Sequence, residues 1–485
     1  MPAQRKCLKN ADKSTALRKN VIFGLPTELI VMVLDMIDDE DLLSLSLLCR
    51  QLHYLALPIL MSRLDGWRYP RKSIFLNNRP PIYLRAARIA LFLQDLTAIV
   101  VNLSCLDPLR LFPTLKGLAR LILRMRRVKA ISFSLLPTWK PADNTEIVNG
   151  FKQIAEALVS KGCEELTLEG CPFLPGHNVG PHSEISPLMT LRSFHARCAT
   201  FSHPPLRSWI IDSINISPIT NLTLHDAAFS KAPSDFGKDL RFLTLPSLAI
   251  LSITSPKDLQ FCDLLAFLCR HSGIKDLTLK CEAAISAKSP APPDDSLPVL
   301  STLRTSPQYV VHLLRPPNSL PSLTHVVIDP NFPIWDPHDG EPSNKSRFVQ
   351  VDNSLASVAS RRNVTSLGLY LPLDQSAETW LMSGSHPRQG KRRDIECSLK
   401  YIDTLAVCGT IGGHVSPRTI PLMPKWVSLF PALRHANFGI LLGQLSYAEE
   451  DKFLRAVIDA CPELETVGLV WRMSVVDLSS RERND

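Results

Sequence analysis

Twelve cysteines and thirteen histidines are the side chains of this 485-residue chain best suited to metal ligation or nucleophilic attack. Their spacing supports neither. No C-x-x-C pair occurs, and Cys163 and Cys171 stand eight residues apart, so no zinc hairpin or disulfide framework is expected. His195, His225 and His435 are dispersed along the chain and read as structural or surface residues. Cys49 sits in a leucine-dense run and is expected to be an inert buried thiol. A G-x-S-x-G elbow, a phosphate-cradling glycine loop, a dinucleotide fingerprint and an H-E-x-x-H helix are all missing from the sequence. The chain is therefore read as no enzyme, with no catalytic residue, no cofactor and no metal.

What the sequence offers instead is apolar surface. From Ile22 to Leu64, 26 of 43 residues are apolar, about 60 %, against 45 % for the chain. Pro26 suits the first position of a helix, and Glu28 then lies in the first turn, where the helix dipole favours an anion. Leu29, Ile30, Val33, Leu34 and Ile37 recur at helical spacing. Val31, Met32 and Met36 fall on the other sides, so this helix is apolar nearly all round. The acidic run Asp38 to Asp41 is expected to break it and cap a second helix, and a leucine-rich third is expected to end near Pro58. Three short helices cannot hide so many large side chains by themselves, and a surplus of this kind marks an interaction site.

The order of these residues is informative. Leu25-Pro26-Thr27-Glu28-Leu29-Ile30, Val33-Leu34, Asp41-Leu42-Leu43, Leu45, Leu47-Leu48-Cys49-Arg50 and Leu52-His53 follow one another without gaps. The stretch resembles the F-box motif. It departs from the family where a tryptophan often follows the Cys-Arg pair; here Leu52-His53-Tyr54 stands there. The resemblance implies docking of the Skp linker protein of Skp–cullin–F-box ubiquitin ligases and, through it, a cullin. It implies that Leu25, Pro26, Leu29, Ile30, Val33, Leu34, Leu42, Leu45, Leu48 and Cys49 form or support the docking surface.

Beyond the docking helices a phrase of the form L-x-x-L-x-L recurs, with first positions at 118, 163, 191, 219, 248, 274, 323, 364, 402, 433 and 464. The steps from 163 to 274 are 28, 28, 29 and 26 residues, the range of leucine-rich repeats. The wider step from 274 to 323 is read as containing an insertion. Each phrase predicts a short strand with alternate residues buried, followed by a covering helix. Helices are expected over Phe151–Val159, Leu206–Ile214, Asp258–Cys269 and Glu449–Cys461. Units that cannot bury their own face must stack.

The fold class expected is α/β: a small N-terminal three-helix F-box followed by an irregular leucine-rich-repeat-like α/β solenoid. The boundaries are a basic tail over 1–20, the helical module over 21–64, a linker over 65–82, the repeats over 83–478 and a tail over 479–485. Ser286–Pro298 reads as a mobile proline-rich loop and Trp380–Asp394 as a polar insertion.

Charge narrows the partners. The formal balance is +8, with basic clusters at Arg5-Lys6, Arg124–Lys129 and Lys391–Arg393. No aromatic stacking platform accompanies them, so nucleic acid is disfavoured as a partner. No window approaches twenty uninterrupted apolar residues, and no membrane partner is expected. Unpaired cysteines and a polar N-terminus point to the cytosol, the nucleus or both. The function expected is a non-catalytic substrate-recognition adaptor that holds the linker and an unknown protein target; a repeat scaffold acting outside a ligase is the alternative.

Overall fold

The structure is a computed structural model that describes residues 25–65, 73–77, 81–95, 97–103, 108–134, 144–170, 185–197, 206–225, 240–255, 259–281, 285, 289–316, 318–329, 344–371, 375–385, 399–409, 418–428, 430–439, 446–469 and 474–477. The chain divides into two compact units, Met1–Leu188 and Met189–Asp485.

The first unit opens with α1 (Thr27–Leu34), α2 (Asp39–Leu45) and α3 (Arg50–Asp65). It continues as β1 (Ser73–Asn77), α4 (Pro81–Ile89), β2 (Ala98–Asn102), α5 (Pro108–Arg124), β3 (Ala130–Ser134), α6 (Asn144–Lys161) and β4 (Glu165–Glu169). The four strands are parallel, each paired with the next in sequence. Ile74, Ile99, Ile131 and Leu166 share one register row and are all buried. Phe133 of the buried face meets Phe151 of α6, ring centroids 6.3 Å apart, so that helix covers that face. Neighbouring helices approach closely where side chains are absent. A Cβ on Gly150 of α6 would lie 2.9 Å from Leu115 Cβ of α5, and one on Gly117 of α5 would lie 2.8 Å from Leu84 Cδ2 of α4.

The second unit carries β5 (Ser193–Arg197), α7 (Leu206–Ile216), β6 (Asn221–His225), β7 (Ile250–Ser255), α8 (Phe261–Arg270), β8 (Asp276–Cys281), β9 (Thr302–Thr305), α9 (Pro307–Leu313) and β10 (His325–Ile328). It ends with α10 (Asn344–Ala359), β11 (Ser366–Leu371), α11 (Gln375–Ser385), β12 (Thr404–Gly409), α12 (Met423–Val427), β13 (His435–Phe438), α13 (Tyr447–Ala460), β14 (Thr466–Leu469) and β15 (Ser474–Asp477). β5 to β14 run parallel in sequence order. β15 turns back antiparallel on β14 and covers its otherwise open edge.

A backbone device repeats along both units. The carbonyl just ahead of a strand accepts two successive N–H groups from the segment entering the next strand, using both lone pairs. Lys129 O takes Glu164 and Glu165, Thr220 O takes Ala249 and Ile250, Lys275 O takes Ser301 and Thr302, and Asp403 O takes Arg434 and His435. Register is thus set strand to strand, whatever the length of chain looped between.

The structure corrects several expectations. Leu118–Leu123 lies inside α5, not in a strand. Burial at Leu111, Leu115, Leu118, Ala119 and Ile122 follows the helical period, and the phrase is a subset of it. The ten later phrases are strands, but β1, β2, β3, β9 and β15 lie outside them. The expected insertion between 274 and 323 holds β9, and Leu300, two residues ahead of that strand, stands 26 residues after Ile274 and 23 before Leu323. β1 occupies part of the stretch read as linker. Trp380–Ser385 belongs to α11, and Trp380 is buried between Phe348 and Trp426. Residues 289–298 carry turns without helix or strand. The two tails, 286–288 and 386–394 lie outside the described residues. No described helix is long and apolar enough to cross a membrane.

Candidate partner-docking site

α1 starts where Pro26 O accepts Leu29 N–H and Ile30 N–H, at 3.1 and 3.2 Å. Pro26 is thus the residue that precedes the helix, with an extended ψ of 143°, and not, as expected, its first helical residue; its ring fixes the φ at which the chain enters α1. Ile30 and Leu34 turn inward. The other face is equally apolar and points to solvent: Leu29, Met32 and Val33 are exposed, and Met36, just past the helix, is 88 % exposed. The spacing 29, 32, 33, 36 is a complete helical stripe, with exposed Leu25 at its head.

Asp38 caps α2, its carboxylate accepting Asp41 N–H at 2.9 Å, as the acidic run foretold. Leu42 and Leu43 are buried, which leaves Leu47 and Leu48 outside in the turn before α3. Leu48 is 71 % exposed. α3 does not end near Pro58; it continues to Asp65. A proline inside a helix costs about 3 kcal/mol. Leu60 and Met61, fully buried beyond it, return roughly 2 kcal/mol each, so packing carries the helix through.

Two side chains fix the pose of these helices. Arg63 donates to the carbonyls of Leu34 at 3.2 Å, Asp35 at 2.5 Å and Ile37 at 2.6 Å, and pairs with Asp39 at 3.3 Å. The last carbonyls of a helix lack intrahelical donors, and a planar guanidinium serves several at once. His53 ties α3 to the chain just past α4. Its Nε2 accepts Leu91 N–H at 3.1 Å, and Nδ1 faces Ser46 O at 3.2 Å, so the neutral ring donates from Nδ1. Burial lowers its pKa and keeps it in that form. The edge of its ring also meets Tyr54.

Of the residues expected at the docking surface, Leu25, Pro26, Leu29, Val33 and Leu48 are exposed, Leu45 and Cys49 half-buried, and Ile30, Leu34 and Leu42 buried. The last three belong to the module's interior and support the surface from beneath. Cys49 is not a fully buried thiol inside a helix; it precedes the first residue of α3. Sequence reasoning left Met32, Met36, Leu47 and Tyr54 off the surface, although all-round apolarity of α1 was the signal for the first two. Eight of the seventeen exposed large hydrophobic residues among those described lie between Leu25 and Tyr54. That concentration, not the exposure of any one leucine, is what separates this surface from ordinary ones.

Elsewhere, His195 and His225, dispersed in the sequence, come together with ring centroids 5.2 Å apart. Among the described residues no three metal-ligating side chains gather. Burial pushes the Cys163 thiol up to about 12, so it is protonated at neutral pH. Arg127 and Lys129 of the central basic cluster both pair with Glu164, the latter at 3.7 Å. Arg5-Lys6 and Lys391–Arg393 lie outside the described residues.

The protein-family model described as F-box-like matches residues 22–65. The three helices are thus an F-box-like domain. No curated protein matches the chain. Among solved structures, a chain from the crystal structure of the Rad7 and Elc1 complex in yeast aligns over 95 % of this chain and 88 % of its own length, at 11 % identity and a TM-score of 0.36.

Proposed function

We propose that this chain is a non-catalytic adaptor of a Skp–cullin–F-box ubiquitin ligase, working in the cytosol or nucleus. The F-box-like helices hold the Skp linker, and a leucine-rich-repeat-like array presents its open sheet face to a protein target. The observation that carries the reading is the exposed stripe Leu25, Leu29, Met32, Val33 and Met36, joined by Leu47 and Leu48. Left in water these side chains are unfavourable by about 25 cal/mol per Å² of apolar area, and a partner that covers them recovers that free energy. The adaptor then acts by proximity, raising the local concentration of target lysines near a conjugating enzyme without lending a catalytic group.

The test separates surface from interior. Leu29→Glu with Val33→Glu puts two charges on the exposed stripe. This double variant is expected to lose Skp linker capture in pulldown, with thermal unfolding within a few degrees of wild type. Leu34→Ala, which empties an interior position, is expected to lower the module's stability by about 2–5 kcal/mol. Full linker capture by the folded double variant would rule out this surface.

A further inference from the structure

Alternation along β5 to β9 sorts side chains onto two faces. Phe194, Leu222, Leu251, Leu277 and Leu303 form one register row on the buried face. The opposite face carries His195, Thr223, Ser252, Thr278 and Arg304 in one row. Arg197, His225, Thr254 and Lys280 form the next row toward the strands' carboxyl ends. Three fixed cations and two imidazoles thus gather at one end of five adjacent strands. Arg197 is exposed, and Lys280 and Arg304 are half-exposed.

The groups sense one another. The His195 and His225 rings are 5.2 Å apart. Burial, then His195, Arg197 and Lys280, push His225 down to about 4, so it is neutral at physiological pH. Burial and then Arg304 lower Lys280, with Asp329 pulling the other way. Asp329 is a buried carboxylate 3.6 Å from Arg304. Arg304 also lies over the Tyr370 ring, 4.6 Å from its centroid, a cation–π contact that helps fix its position. Among the described residues of these carboxyl-end rows, cations outnumber carboxylates, and the like charges are already crowded. Asp276 lies on the same face at the opposite end of β8.

We propose that this carboxyl-end zone, Arg197, Lys280 and Arg304 with His195 and His225 between them, docks an extended acidic peptide segment of the target. The inference rests on the adaptor reading only in calling the partner a target. Charge complementarity selects the occupant, since carboxylates relieve repulsion that a neutral peptide leaves in place. Span selects the conformation. Arg197 and Lys280 are three strands apart, about 14 Å at the usual strand spacing. An extended chain covers that distance in roughly four residues. Glutamates at i and i+4 therefore reach both cations, and Thr223 and Ser252, both half-exposed, offer hydroxyls along the way.

The experiment uses the full chain and a fluorescein-labelled twelve-residue peptide with glutamates at i, i+2, i+4 and i+6, read by fluorescence anisotropy. Saturable binding that weakens with salt is expected, and the same peptide with glutamines is expected not to bind. Arg197→Glu with Lys280→Glu is expected to weaken binding roughly tenfold or more. Arg197→Glu alone, at an exposed position that folding tolerates, keeps the test valid if the double variant misfolds, and is expected to weaken binding severalfold. Arg434→Glu, an exposed arginine ahead of β13, is expected to change nothing. Absence of saturable binding overturns the site, as does an equal loss in Arg434→Glu, which marks diffuse attraction. Preference for a single-stranded oligonucleotide over the peptide also overturns it. Linker capture by wild-type protein is measured in parallel. Peptide binding without linker capture sinks the adaptor reading and leaves the anion-binding site; linker capture without peptide binding does the reverse.

Discussion

His271 carries the load in the second unit that His53 carries in the first. Its Nε2 accepts Leu245 N–H at 2.9 Å and its Nδ1 lies 2.7 Å from Phe267 O, so a neutral ring with its proton on Nδ1 satisfies both. Protonation puts a hydrogen on Nε2 and opposes the Leu245 N–H. Burial accordingly lowers the His271 pKa, as it lowers that of His53. The folded pKa lies below the unfolded one, so the stabilising contribution is complete above about pH 6.5. It declines as pH falls through the folded value, because the unfolded chain binds the proton first. The urea midpoint of wild type is expected to fall between pH 7.5 and pH 5, with a shallower fall in His271→Gln. Identical pH slopes in the two proteins would contradict this role.

Trp380 shows what an element can conceal in its sequence. It sits at the head of a polar run, WLMSGSHPRQGKRRD, and composition alone makes it part of an insertion. Its ring stacks on Phe348 of α10 at 5.1 Å and meets Trp426 of α12 at 5.7 Å, while Nε1 donates to Asp352 Oδ1 at 2.9 Å. Three helices are joined there by contacts between residues far apart in the chain, which no local pattern encodes. The same limit explains Pro58 and Leu118–Leu123. In each, tertiary burial decided what proline placement or a leucine phrase left ambiguous. Strands with leucine at both inward positions were legible, because Leu222 and Leu224 bracket one outward residue. β2 and β3, built on Ile99-Val-Val101 and Ile131-Ser-Phe133, alternate equally well but lack the leucine phrase. At the docking site the leucines were legible and their sidedness was not; only packing against α3 separates Ile30 from Leu29. Trp380→Ala is expected to cost about 3–5 kcal/mol. Its effect on amide exchange is expected in β11 to β13, with β6 to β8 as protected as in wild type. Uniform loosening of all these strands would contradict a local role.

At the scale of the molecule, each unit is a series of strands that pair with their sequence neighbours, tied by carbonyls that each accept two N–H groups from the next strand. Such an arrangement tolerates steps of 23 to 41 residues between strands, because the ladder rather than the loop sets the register. It also explains why successive strands share few positions beyond their inward apolar residues. The adaptor account joins this array to a module whose apolar surface is turned outward. Amide hydrogen exchange of the full chain, with and without purified Skp linker, tests that account most directly. The account predicts that the linker slows exchange over Leu25–Met36 and Ser46–Tyr54 and leaves β5 to β9 unchanged. Failure of the linker to bind, or protection confined to the sheet with residues 25–54 exchanging as before, would contradict it.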